Sequence, residues 1–209
     1  TTLAEASGRP IVRNILLADD ENLQRHRTFI DWLNESHEKG LQVFGMGFTV
    51  RSPTILTFED WSLWDNAPNW HEVMNGKYED RVALMKDSAV REKLRKEVDM
   101  NLVGGLGTSG PAQKLTVHGS AGFGQLDKYV DKKVAEIAEA EGKHVADVIL
   151  DISLESEFKA EFVGNAYPTS AALTKEVLDC PYVVPGISDG GAHCHFVVQG
   201  AYPTDLLEW

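Results

Sequence analysis

Three apolar runs, separated by helical segments, constrain the fold of this chain more than any other feature of its sequence. They lie at residues 11–18, 41–50 and 181–188. Runs of this length, bounded by turn residues, are typical of strands buried in a parallel sheet. Between the first two, Leu23, Ile30 and Leu33 recur at helical spacing up to Gly40, which predicts a helix over about 21–39. The order strand, helix, strand predicts a parallel α/β architecture with right-handed crossovers.

The chain has 209 residues, and an eight-stranded barrel typically needs about 250. Three strong strands are also too few to close one. The chain opens on what resembles the last turn of a helix ending at Gly8 and stops soon after Thr204, which resembles an N-cap. Since both ends cut through elements, we expect the chain to be a fragment of a longer domain.

The segment at residues 51–113 is expected to be a loop or helical excursion. Its first part, up to Lys86, is rich in aromatic and polar residues without sustained periodicity, which suggests a long loop. Asp87 then predicts the cap of a helix, and further helices are expected before Gly142, around Ile149 and at residues 170–178. The GxGxxG match at 105–110 follows a helix and precedes Pro111, so it is not a dinucleotide site, which requires a strand before it and a helix after it.

Composition excludes several classes of function. The formal charge is -12, from 32 acidic and 20 basic residues, and no Lys/Arg run could neutralise phosphates. Nucleic acid is therefore not an expected partner. No apolar run approaches the roughly 20 residues of a membrane-spanning helix. Cys180 and Cys194 are too few for a disulfide framework, so a reducing, cytoplasmic location is expected.

Asp189 is the strongest candidate for chemistry. It follows the third apolar run and precedes Gly190 and Gly191, which allow a tight turn that leaves the carboxylate uncovered. Active-site groups of parallel α/β proteins lie at such strand ends. An Asp before Gly is equally typical of a turn that bonds its own backbone. Position alone leaves these two interpretations open.

The end of the chain resembles the last barrel strand and exit loop of the D-aminoacylase-like metal-dependent amidohydrolases. The residues that carry the resemblance are Val184-Pro185-Gly186-Ile187-Ser188-Asp189-Gly190-Gly191-Ala192-His193, then Tyr202-Pro203-Thr204, Leu206-Leu207 and Trp209. Upstream, the order of Gly8-Arg9-Pro10, Arg51-Ser52-Pro53, an aromatic loop, Arg81, Asp87 and the 142–151 segment also fits. The resemblance spans the whole chain and is most specific at its end.

This resemblance implies a partial (β/α)8 TIM barrel of amidohydrolase type, with about the last three strands and a long aromatic loop insertion. It implies an enzyme that cleaves the amide bond of N-acyl D-amino acids with water activated by one or two zinc ions. Asp189 matches the residue that lies against the metal and acts as general base. We also expect His193, Arg51 and Ser188 to bind substrate, Arg51 by clamping a carboxylate.

The chain departs from the family in its other ligands. The paired histidines of the first barrel strand and the ligands of the middle strands have no counterpart, and Asn14 stands where a middle-strand histidine is expected. His193-Cys194-His195 supplies too few ligands for a structural zinc. We therefore expect the isolated chain to be inactive. Its expected partner is the missing N-terminal part of the barrel or a second copy. The alternative is a non-catalytic, degenerate amidohydrolase domain that binds a ligand or partner.

Overall fold

The structure, a computed structural model, describes residues 2–18, 22–49, 55–60, 63–103, 112–164, 170–186, 203–204 and 207. The chain divides into two compact units, the first Thr1–Ser52 with Ala166–Trp209 and the second Pro53–Asn165. Its helices are α1 Thr2–Ser7, α2 Leu23–Glu38, α3 Pro68–Met74, α4 Tyr78–Lys86, α5 Ser88–Asp99, α6 Val134–Glu141, α7 Val145–Glu155 and α8 Ala171–Leu178. Its strands are β1 Ile11–Leu16, β2 Val43–Phe48, β3 Ile55–Leu56, β4 Thr116–Gly119, β5 Glu161–Val163 and β6 Val183–Gly186.

The first unit contains a three-stranded parallel sheet in the order β1-β2-β6. Val12 pairs with Phe44, and Met46 pairs with Val184. These strands are the three apolar runs of the sequence, so their parallel arrangement is confirmed, as is the helix between the first two. The protein is a mixed α/β structure, and the sheets of its described part do not close into a barrel.

Two glycines of β2 identify the sheet face on which the helices pack. A Cβ atom added at Gly45 would lie 3.2 Å from side-chain atoms of Leu33 and Phe29 in α2. One added at Gly47 would lie 2.7 Å from Val183 and within 3.5 Å of Val177 in α8. A larger side chain would press on α2 at Gly45 and clash with Val183 of β6 at Gly47, so glycine permits the close approach of α2 and β6 to this strand.

The opposite face of the same sheet is apolar and partly open. Side chains alternate along a strand, so Phe44 and Met46 lie on the other face from Gly45 and Gly47, where the Phe44 ring meets His37 at the end of α2 edge to face, with centroids 5.3 Å apart. Their register partners Val12 and Val184 lie beside them, with exposed fractions of 52% and 43%. This unit therefore buries one sheet face well and the other incompletely.

The second unit has a different architecture from the one that we predicted for the chain. Its three short strands form an antiparallel sheet in the order β3-β5-β4, with helices α3 to α7 in the same unit. The expectation of right-handed parallel crossovers does not apply here. Helices α3, α4 and α5 lie in the segment at 51–113, which we expected to be a loop or helical excursion.

Aromatic residues of this segment form the core of the second unit. Trp64 and Trp70 are fully buried and meet edge to face, with ring centroids 4.5 Å apart. Phe58 packs against both, at 5.7 and 6.0 Å. Burial of such large rings is a dominant favourable contribution to folding. The aromatic residues of a segment without sustained periodicity thus form a folded core.

Helices of the second unit are capped either by a residue next to the helix or by a residue from a distant part of the chain. Asp87 accepts hydrogen bonds from the main-chain N–H groups of Ala89 and Val90, as expected of an N-cap. Gly142 ends α6 in the left-handed conformation, also as expected. By contrast, the N-cap residue of α3, Ala67, has no side-chain acceptor. Glu97 of α5 takes over that role.

Arg81 connects separate parts of the second unit through its buried guanidinium. Nε donates to the carbonyl of Val73 at 3.0 Å and Nη2 donates to that of Phe58 at 2.6 Å. The same group lies over the ring of Phe158, 4.4 Å from its centroid. Burial lowers the pKa of Arg81 from its ordinary value. The two carbonyls and the ring offset the cost of burying this charge.

Across the described residues, the helices are too short or too polar to cross a membrane.

Candidate functional site

The carboxyl ends of β1, β2 and β6 define the candidate site. Because the strands are parallel, their last residues Leu16, Phe48 and Gly186 lie at one edge of the sheet. Parallel α/β proteins place their ligands at this edge. In the sequence, Arg51 comes shortly after β2 and Asp189 shortly after β6.

The four predicted site residues, Arg51, Ser188, Asp189 and His193, lie outside the described residues. So do Trp61, Cys194, His195 and the glycine-rich segment at 105–110. Their roles in catalysis, substrate binding or metal binding stay predictions.

The first unit holds a charged cluster that the sequence did not indicate. Arg27 of α2 donates two hydrogen bonds to Glu176 of α8, from Nε to Oε1 at 2.6 Å and from Nη2 to Oε2 at 3.0 Å. The neighbouring His26 is fully buried, with Nε2 3.6 Å from the same Oε1. The paired residues are 149 positions apart, so no local pattern could have revealed the cluster.

This cluster has the properties of a structural contact between two helices. The hydrogen bond and charge of Arg27 hold the pKa of Glu176 below its ordinary value. A carboxylate with a lowered pKa is a poor proton acceptor near neutral pH. Glu176 in turn raises the pKa of Arg27. Arg27 and Glu176 satisfy each other's charge and hydrogen-bonding groups. Arg27 is therefore not poised to bind a substrate carboxylate, nor Glu176 to remove a proton from a substrate.

An open groove of about 550 Å³ runs between α2 and the end of α8. Arg27 and Glu176 form part of its wall, together with Asp179 and Cys180. Asp179 is bound by Lys175 at 2.6 Å. Arg27, Glu176 and Asp179 line this groove, and each is paired with another side chain of the protein. The groove is not the site that we predicted at the sheet edge.

Trp64 and Trp70 do not line a pocket. Trp64 and Trp70 have no exposed surface, and the indole N–H of Trp70 donates to the carbonyl of Leu94 at 3.3 Å. They stabilise the second unit from within. An acyl group could not reach either ring without unfolding that core. Both rings anchor their segment of the chain in that core.

The described residues do not gather three or more His, Cys, Asp or Glu side chains in a geometry that could hold a metal ion. A protein zinc site needs three or four such ligands. This part of the chain does not fit the zinc that the resemblance implies.

No protein-family model, curated protein or solved structure matches this chain.

Proposed function

We propose that this chain is part of a hydrolase that cleaves the amide bond of N-acyl D-amino acids or similar small amides, with Asp189 as the general base. The observation that carries the proposal is the parallel pairing of β6 with β2, since β6 ends at Gly186 just before the Ser188-Asp189-Gly190 sequence. Such a strand end is where α/β enzymes position catalytic carboxylates.

The open sheet face supports the further proposal that the first unit is part of a (β/α)8 barrel. Parallel sheets are almost always covered on both faces. Here α2 and α8 cover one face, whereas Val12 and Val184 on the other remain about half exposed. In a barrel that second face would point into the packed interior. The remaining strands, from an N-terminal part of the same protein or from a second copy, are the proposed partner.

The chemical step assigned to Asp189 is a proton transfer. Its carboxylate would accept a proton from water as the water oxygen bonds to the amide carbon. It would then deliver that proton to the amide nitrogen as the C–N bond breaks. The products are a carboxylic acid and a free amino acid, and the base returns to its initial state. Arg51, Ser188 and His193 are proposed to bind the substrate.

The proposal assigns no step to zinc. The described residues do not fit a zinc site, so any zinc in the enzyme would need ligands from elsewhere.

The test measures release of free amino acid from a panel of N-acetyl D-amino acids by the full-length gene product. Replacing Asp189→Asn should lower kcat by about 10²–10⁴-fold, the usual contribution of a general base, and leave KM nearly unchanged. The matched control is Asp179→Asn, the same chemical change at a surface ion pair with Lys175, which should leave kcat unchanged. A near-normal rate for Asp189→Asn would remove this residue from the mechanism. We expect the 209-residue chain alone to show no turnover.

A second candidate is a degenerate amidohydrolase module that binds a small ligand or a partner without catalysis. Asn14 favours it, since this exposed residue of β1 stands where the family pattern predicts a histidine ligand. For this candidate, the full-length gene product would lack turnover but would still fold. The activity assay on a protein shown to be folded distinguishes the two proposals.

A further inference from the structure

We draw no further inference here: the strongest candidate, the partly open apolar face of the parallel sheet that carries Val12, Phe44, Met46 and Val184, already supports the barrel proposal, and nothing in the structure shows what covers it.

Discussion

Glu97 offers the sharpest test of how the second unit is stabilised. Its side chain is buried, with 4% of its surface exposed. It accepts from the main-chain N–H of Asn69 at 3.0 Å and from that of Trp70 at 3.3 Å. It also accepts from the side-chain amide of Asn69 at 2.6 Å. Because Pro68 has no N–H, these two amides are the first donors of α3 that need a partner.

The substitution Glu97→Gln should destabilise the start of α3 by a measurable amount. Glutamine keeps one acceptor oxygen and turns an NH₂ group toward a main-chain N–H, which leaves one buried donor unpaired at a cost of about 1–3 kcal/mol. Loss of the negative charge at the helix N-terminus adds about 0.3–1 kcal/mol. We therefore expect a total of about 1–4 kcal/mol, and more for Glu97→Ala, which removes both acceptors.

Hydrogen exchange at the amides of Asn69 and Trp70 is the direct assay, because exchange reports local opening. A loss of about 2 kcal/mol corresponds to roughly 30-fold faster exchange. The matched control is Glu92→Gln on the same helix, where the carboxylate is 64% exposed and pairs with Lys96 at 2.8 Å. That change should leave both amides unaffected. Unchanged exchange in a folded Glu97→Gln protein would refute the capping role.

Three further substitutions test other parts of the structure. Gly47→Ala should destabilise the first unit by about 1–3 kcal/mol through overpacking, since its Cβ would lie 2.7 Å from Val183; an unchanged urea midpoint would contradict that close approach. Glu176→Gln should be less stable than wild type at neutral pH, because Arg27 lowers the folded-state pKa of Glu176 and ionisation then favours folding. The gap should close as pH falls below the unfolded value of about 4.3, whereas a constant gap from pH 7 to 3 would exclude this linkage. Arg81→Met should cost about 1–3 kcal/mol for each of the two buried carbonyls left unpaired, so urea unfolding like that of wild type would show that these bonds add no stability.

Features with a local signal could be predicted from the sequence. The strands of the parallel sheet were visible because each is a continuous apolar run with turn residues beside it. The caps at Asp87 and Gly142 were visible because the capping group is adjacent to the helix. In each case the residues that determine the element lie within it or next to it.

Features that depend on distant partners could not be predicted in this way. Helix α3 lacks a local cap and is capped by Glu97 from 28 positions away. Helix α4 buries Arg81 and Met85, so one of its interior positions is a charged residue and its apolar stripe is interrupted. The antiparallel strands β3 and β5 have two and three residues, too few to establish an alternating pattern.

The same distinction between local signals and distant partners applies to the candidate site. A local motif makes Asp189 a candidate from the sequence alone, and β6, the strand before it, pairs in parallel with β2. The contact of His26 and Arg27 with Glu176 depends on two helices far apart in the sequence, and only the structure reveals it.

A parallel α/β sheet supports many unrelated chemistries, so the Asp189 carboxylate, rather than the fold, is what distinguishes the hydrolase from the binding module. Both hypotheses give Asp189 the same position after β6 and require a second layer over Val12 and Val184. They differ in the role of the Asp189 carboxylate: turnover depends on it in the hydrolase, whereas the binding module has no turnover. Loss of turnover in Asp189→Asn without loss of stability would identify a catalytic group, because a general base acts on the rate while a turn residue acts on folding. Loss of stability in step with any loss of activity would instead favour the turn interpretation that the sequence left open.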